Sequence, residues 1–391
     1  MESFYKTHNY LIAHVNSPIR RQLMDEIDWN HRLIGIKGCR GVGKTTFLLQ
    51  YAKEKFGNDK ACLYVNFNNF YFTQHSLIEF AQAFCEQGGH TLLIDQTFKY
   101  ERWSSELREC YFLFPQLHIV FSGSSVMRLI EDNADIQDIV ASYNLRGFSF
   151  REYVNLQSGS SLISYSLEDI LKKHKEIANT ICNTIQPFDY FEDYLHHGFY
   201  PFYLENRNYS ENLLKTMNMM LEVDILLIKQ IDLKYLSKVR KLLYLLMLNA
   251  PSDPNVSQLS MEIETSRATI MNYIKYLKDA RLLNLLYSVG EDFPKKPKQI
   301  YVQNTNLMHV IGQDFVNREV ECKTFLYNTL HAKHKVNLGK KQYDFCIDQK
   351  YQFKLGNNSS IKNSLNCFYA IDGITVGQKN EIPLWLFGFL Y

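Results

Sequence analysis

Leu33-Ile34-Gly35-Ile36-Lys37-Gly38-Cys39-Arg40-Gly41-Val42-Gly43-Lys44-Thr45-Thr46 is the stretch that decides how the N-terminal part of the chain folds. Its first four residues form a short apolar run, the pattern of a strand buried on both faces. Gly38 to Thr45 then matches G-x-x-x-x-G-K-[ST]. Phe47, Leu48, Leu49 and Tyr51 carry a helical pattern to about Phe56, where Gly57-Asn58 stops it. Strand, glycine turn and helix in that order suit an anionic ligand. The glycines allow tight turning and close approach of backbone N–H groups to phosphate oxygens. The following helix points its positive end at the same place. Lys44 would add a charge near the β and γ phosphates, and the Thr45 hydroxyl would ligand magnesium. The expected ligand is ATP with Mg2+, held by Gly38, Arg40, Gly41, Val42, Gly43, Lys44, Thr45 and Thr46.

The same rhythm continues downstream. Cys62–Asn66 reads as a strand, 75–87 as a helix closed by Gly88-Gly89, and Thr91–Asp95 as a strand. A helix around 101–113 leads to the strand Leu117–Phe121, which runs into Ser122-Gly123-Ser124-Ser125. Such alternation predicts a parallel sheet covered by helices on both faces. Residues 1–30 read as a leading helix with Ile19, Leu23, Ile27 and Trp29 on its apolar stripe. Asp95 ends an apolar strand, where a carboxylate would hold magnesium together with Thr45. The next position would ordinarily carry a general base. Here it is Gln96, whose amide positions water but cannot accept its proton. Ser122, Ser124 and Ser125 close the next strand, where a hydroxyl would sense the γ-phosphate, with Ser124 the candidate taken forward; serines in a Gly-Ser turn are equally ordinary loop residues.

The chain has 391 residues, more than one core accommodates, so roughly two to four domains are expected. With 46% hydrophobic and 21% charged residues it has a globular balance, and a net charge of +2 demands no nucleic-acid partner. The eight cysteines lack metal or redox spacing and read as reduced thiols. The N-terminus has no signal-peptide pattern, and no window reaches the roughly 18 apolar residues of a membrane span, so a cytoplasmic location is expected. From about 150 to 250 a helical period dominates, with segments at 167–185, 188–197 and 209–230. Residues 237–290 give a three-helix pattern. Its last helix, Arg267 to Asp279, turns Ile270, Tyr273, Ile274 and Leu277 inward and Arg267, Asn272, Lys275 and Lys278 outward. With a ribbon from Leu282–Tyr287 and Ile300–Val302 around Pro294-Lys-Lys-Pro-Lys298, this is a winged helix-turn-helix plan; its outer face is a candidate DNA contact or simply a solvated surface. Strands are expected near 343–347 and 383–390, with an Asn/Gly/Ser loop near 356–364.

Taken in order, the phosphate-loop segment, Leu92-Leu-Ile-Asp95, Phe121-Ser-Gly-Ser-Ser, Leu145-Arg-Gly-Phe-Ser-Phe-Arg-Glu-Tyr153, Gly198-Phe-Tyr-Pro-Phe-Tyr203, Ile300–Leu307 and Ile382–Tyr391 resemble the bacterial and archaeal AAA-type ATPases with a winged helix and a C-terminal nuclease-like domain. The resemblance implies an α/β fold: a P-loop NTPase parallel sheet of AAA (ASCE) type over 1–150, a helical lid over 151–235, a winged helix over 236–305 and a restriction-endonuclease-like domain over 306–391. Three departures matter. Asp95-Gln96 stands where the family has Asp-Glu, and Asp135–Ser142 lacks the arginine expected there. In other P-loop enzymes such an arginine is worth about 10³–10⁵ in rate. In the C-terminal region Asp344 matches the strand aspartate, but Lys354 and Lys323 stand where carboxylates are expected, so nuclease activity is not expected. The expectation is a nucleotide-dependent switch with slow or no hydrolysis. The alternative is an active ATPase acting with DNA, its missing groups supplied by Glu101, Arg102 or a neighbouring subunit.

Overall fold

Short apolar runs and amphipathic stretches alternate through the first 146 residues, and in the computed structural model they build a single parallel sheet with its covering helices. The structure describes residues 1–391 except 128, 131–132, 206–207, 227, 313–315, 341 and 357–365. The expected loop near 356–364 therefore lies almost wholly outside the described residues. The chain divides into two compact units, Met1–Arg146 and Gly147–Tyr391.

In the first unit the elements run α1 (Glu2–His14), α2 (Leu23–Glu26), β1 (Leu33–Gly38), α3 (Lys44–Lys55), β2 (Cys62–Asn66), α4 (Leu77–Glu86), β3 (Thr91–Asp95), α5 (Trp103–Leu113), β4 (His118–Ser124) and β5 (Ala141–Asn144). The strands pair in the order β2-β3-β4-β1-β5, all parallel. Parallel strands buried on both faces need continuous apolar sequence, and β3 is buried along its whole length. Helix α4 begins at a capping box, Ser76 with Glu79, which satisfies two otherwise unpaired N–H groups. Two features differ from the sequence reading. The leading helix of residues 1–30 is broken: α1 ends at His14, and of the expected stripe only Leu23 lies on a helix. Pro18 lacks an N–H and drives its predecessor out of the helical region, which ends any continuous helix there. Strand β5 was not foreseen, because Ala-Ser-Tyr-Asn is polar and only half-buried; it pairs with β1 on one edge, Ile34 opposite Ala141 and Lys37 opposite Asn144.

The second unit contains α6 (Phe150–Ser158), α7 (Leu167–Cys182), α8 (Phe188–Asp193), α9 (Tyr209–Met219), α10 (Leu236–Leu248), α11 (Val256–Glu262) and α12 (Arg267–Asp279). The antiparallel ribbon β6 (Leu283–Leu286) and β7 (Gln299–Val302) follows, then α13 (Thr305–Gly312) and α14 (Arg318–Leu330). The chain ends in a mixed sheet of β8 (Val336–Leu338), β9 (Phe345–Ile347), β10 (Tyr351–Leu355), β11 (Cys367–Ile371) and β12 (Glu381–Pro383), ordered β12-β11-β10-β9-β8. Single π turns extend α8 at Tyr194–Gly198 and α9 at Met220–Ile225. Helices α6 and α7 share one hydrophobic core with α14 and the C-terminal sheet, through Phe150, Tyr153, Leu167, Ile170, Phe325, Phe353 and Trp385.

The expected strand at 383–390 is corrected: β12 stops at Pro383 and Leu384–Phe389 is a buried 3-10 turn. An apolar run buried on every side carries no period that separates strand from turn. Trp385, the second residue of this segment, is 1% exposed, with Nε1 donating to the Ile374 carbonyl at 3.2 Å. Trp385→Ala is expected to destabilise this unit by about 3–5 kcal/mol, read as a shift in the urea midpoint of its unfolding transition.

Candidate nucleotide site

In a parallel sheet the carboxyl ends of the strands lie along one edge, and the loops leaving β1, β3 and β4 meet there. The loop between β1 and α3 turns at Gly41 and Gly43, with φ of 86° and 89°, conformations that a side chain disfavours. Gly38 is required for a different reason: a Cβ there would run into the Leu145 carbonyl and stand 3.1 Å from Val42 Cγ2. The first helical bond of α3 closes from Phe47 N to Gly43 O at 2.9 Å. The N–H groups of the first turn, from Lys44 to Thr46, therefore lie at the open N-terminal end of the helix, where an anion is favoured. Lys44 Nζ curls back over the loop and donates to the carbonyls of Gly38 and Cys39 at 2.8 and 2.9 Å. Val42 is buried and Arg40 and Thr46 are half-buried, so Val42 packs the loop from below.

Asp95 closes β3 and is 1% exposed. Thr45 Oγ1 donates to its Oδ2 at 2.6 Å and Tyr64 Oη to the same oxygen at 2.8 Å. Ser122 Oγ and the Gln96 backbone N–H, the latter at 3.0 Å, donate to Oδ1. Four donors match the acceptor capacity of one carboxylate. Burial, reinforced by the neighbouring Asp95 carboxylate, pushes the Tyr64 hydroxyl well above its ordinary range, so it remains a donor. The Thr45 hydroxyl gives its proton to Asp95 and keeps its lone pairs; the residue is exposed, and an oxygen so placed suits a hard cation. Gln96 takes a left-handed backbone conformation, φ 55°, that turns the chain sharply after the strand. Its N–H also lies 3.2 Å from Ser122 Oγ.

The sequence-derived residues Gly38 to Thr46, Asp95 and Gln96 thus converge on one end of the sheet. Ser124 lies near them but is buried, its Oγ accepting from Val126 N at 3.3 Å as a turn-former. Two participants, Tyr64 and Arg21, carry no signal in the sequence, and Ser122 bonds to Asp95 where the sequence offered it for the γ-phosphate. Tyr64 and Ser122 enter because β2 and β4 flank β3, placing their side chains beside Asp95; a lone Tyr in an apolar strand gives no such signal. Arg21 is buried, with Nη1 donating to the Val42 carbonyl at 3.0 Å and Nη2 to the Arg146 carbonyl at 2.7 Å. It joins the phosphate loop to the last residue of this unit. Glu101 and Arg102 lie on the turn before α5, where Arg102 pairs with Glu106 at 3.2 Å.

In the second unit, the outward face of α12 carries Arg267 and Asn272 exposed and Lys275 and Lys278 half-buried. Ser266 caps α12 by accepting from Thr269 N at 3.1 Å. The basic loop is partly self-neutralised: Lys296 pairs with Asp253 at 2.6 Å and Lys295 with Glu291 at 3.3 Å, while Lys275 lies over the Phe293 ring. On the C-terminal sheet Asp344 pairs with Lys323 at 2.9 Å and accepts from Leu355 N at 2.8 Å. Burial opposes the charge on Lys323, but its bonds to Glu319 and Asp344 prevail and hold its pKa above the usual range.

The Asp95 cluster makes a graded prediction. Tyr64→Phe removes one of four donors and should lower stability by about 1 kcal/mol, whereas Asp95→Ala strands several buried donors and should cost about 3 kcal/mol or more. Urea unfolding of both variants checks the order; equal losses would contradict the arrangement.

Residues 30–154 match the family described as AAA domain, and residues 188–311 match a domain of unknown function, DUF8612. The chain is 28% identical over 390 residues to the uncharacterized protein MJ1637 of Methanocaldococcus jannaschii, covering 90% of this chain and 81% of that one. Among solved structures it is similar to a RuvB variant of Thermotoga maritima (14% identity, 73% of this chain and 89% of that one, TM-score 0.31). It is also similar to the Orc1 protein of Aeropyrum pernix, solved in complex with DNA (10% identity, 80% and 94% coverage, TM-score 0.31). No helix among the described residues is long and apolar enough to cross a membrane. The five-stranded parallel sheet in the order 2-3-4-1-5, its glycine loop and the family match together make the first unit an AAA-type P-loop nucleoside-triphosphatase domain.

Proposed function

We propose that the protein is a nucleotide-dependent switch that binds ATP with Mg2+ and hydrolyses it slowly or not at all. The observation that carries this reading is the Thr45–Asp95 contact of 2.6 Å at the mouth of the phosphate loop. It pairs a hydroxyl oxygen with a carboxylate where magnesium would sit, Thr45 ligating directly and Asp95 through the ion's water shell. Lys44, now on two loop carbonyls, would move to the β and γ phosphates, exchanging neutral acceptors for charged ones. Gly38, Arg40, Gly41, Val42, Gly43 and Thr46 would complete the cradle with backbone N–H groups. Gln96 orients water without removing its proton, and Ser124, at the carboxyl end of β4, is the hydroxyl proposed for a γ-phosphate contact. Arg21 supports the switch, because a loop rearrangement at Val42 would be felt at Arg146, where the unit ends. The ion pair Lys323–Asp344 supports a C-terminal domain that does not cleave nucleic acid, since an ammonium occupies the place of a metal ligand.

A second reading is an active ATPase working on DNA through a winged helix made of α10, α11, α12 and the β6–β7 ribbon. Its support is the exposed Arg267 and Asn272 on α12, with Lys275 and Lys278 on the same face. The pairing of Lys295 and Lys296 with acids reduces the free positive charge of the wing, which favours the first reading.

Titration calorimetry with ATP and Mg2+ should give saturable one-to-one binding, and Lys44→Ala should abolish tight binding, a loss of about 2–3 kcal/mol or about 30–150-fold. Steady-state turnover should be far below an ordinary rate of about 1–10 s⁻¹. If only the base is missing, Gln96→Glu should raise turnover by about 10²–10⁴; no rise would assign the slow rate to the absent arginine or to a non-catalytic role. For the second reading, DNA affinity measured by anisotropy across a salt series should fall steeply with salt, and an Arg267→Ala/Lys278→Ala double variant should flatten that slope. Undetectable DNA binding at low salt would remove this reading and leave the switch.

A further inference from the structure

We propose that the second unit contains a transition-metal site, of Zn2+ type, built from His196, His309 and Glu321. Each residue offers a ligand atom, and these atoms lie within 4.8 Å of one another. The three come from separate elements: His196 from the π turn after α8, His309 from α13 and Glu321 from the first turn of α14. Two imidazoles with one carboxylate form a donor set that suits zinc and disfavours magnesium or calcium, which take oxygen ligands.

The surroundings hold these atoms in place. Thr305 Oγ1 donates to the Leu195 carbonyl at 2.5 Å, and Asn306 Nδ2 donates to the carbonyls of Tyr194 and Leu195 at 3.0 and 2.7 Å. The start of α13 is therefore pinned to the π turn, which brings His309 beside His196; the two rings stack with centroids 3.7 Å apart, so a shared ion requires one imidazole to turn its nitrogen edge toward it. The π turn itself is a rare element that concentrates at functional sites. Glu321 is 3% exposed, and Arg318 holds its Oε2 at 2.8 Å, leaving Oε1 directed at His309 Nε2, 2.6 Å away. A metal about 2.0–2.2 Å from both atoms would replace the proton they share and needs them about 3.3 Å apart, a small outward movement. Arg318 also pairs with Glu192 at 2.8 Å and Asp372 at 2.7 Å, so three carboxylates surround one guanidinium. That excess of negative charge favours a dication. Glu192 further lies 3.4 Å from His196 Nε2, at the rim of the cluster. Three protein ligands leave one position for an exchangeable water.

The test uses the full chain purified in chelator and dialysed free of it. Zn2+ alone is titrated in competition with a chromophoric zinc indicator, and Co2+ is added separately for its visible spectrum. The expected result is one equivalent bound, a tetrahedral cobalt band without thiolate charge transfer, and affinity lower by about 100-fold or more in both His196→Asn and His309→Asn. His196 is 37% exposed, so its variant should fold, which circular dichroism verifies. The proposal is overturned by absence of saturable binding, by unchanged affinity in the two variants, or by a thiolate band that places the ion on cysteine.

Discussion

A carboxylate buried at the end of β3 sets the geometry of the whole first unit. Asp95 lies 1% exposed among apolar strands, and a charge in such a place is stable only when its lone pairs are filled. The four donors come from four places: Thr45 on α3, Tyr64 on β2, Ser122 on β4 and the backbone at Gln96. Each binds only if its own element sits in the correct register. Asn66 stands opposite Asp95 across β2–β3, and Leu93 opposite Val120 across β3–β4. The anion therefore ties three strands to the helix that follows the phosphate loop. It also orients Thr45, the oxygen on which a cation could rest.

The loop is tied from the opposite side by Arg21. Its guanidinium spans the Val42 and Arg146 carbonyls, and Leu145 N donates to Lys37 O at 2.8 Å. Gly38 is the point where the Leu145 carbonyl comes too close for any side chain. The phosphate loop and the end of the unit consequently share a rigid seam. A device that reports occupancy of the loop needs such a seam, because packed elements shift as bodies and not as independent atoms.

Charge in the second unit follows a similar rule on α14. Lys323 and Glu321 lie on one helix, two residues apart, and face different neighbours: Lys323 meets Asp344 on the sheet side, and Glu321 meets His309 and Arg318. Lys323 and Asp344 close into an ion pair of 2.9 Å. Glu321 is directed to the His309 imidazole and the Arg318 guanidinium instead. One helix thus carries a neutralised position and a position with negative charge in excess.

The sequence by itself determined the phosphate loop, the alternation of strands and helices around it, and the position of Asp95, because each depends on neighbours along the chain: a glycine spacing, an apolar run, a carboxylate at its end. It also determined α12 with its serine cap and the ribbon that follows, since capping and period are local. Pro18 is a local break in the leading helix that the spacing of Ile19, Leu23, Ile27 and Trp29 does not register. Only the tertiary structure decided the strand order, and with it the meeting of Tyr64 and Ser122 with Asp95, of Arg21 with the loop, and of His196 with His309 and Glu321. Those partners lie from 12 to 125 residues apart and are brought together by the packing of separate elements, for which no periodicity exists. The polar edge strand β5 and the buried turn at Leu384–Phe389 belong to the same class: one owes its form to a neighbouring strand, the other to burial on every side, and neither leaves a local pattern.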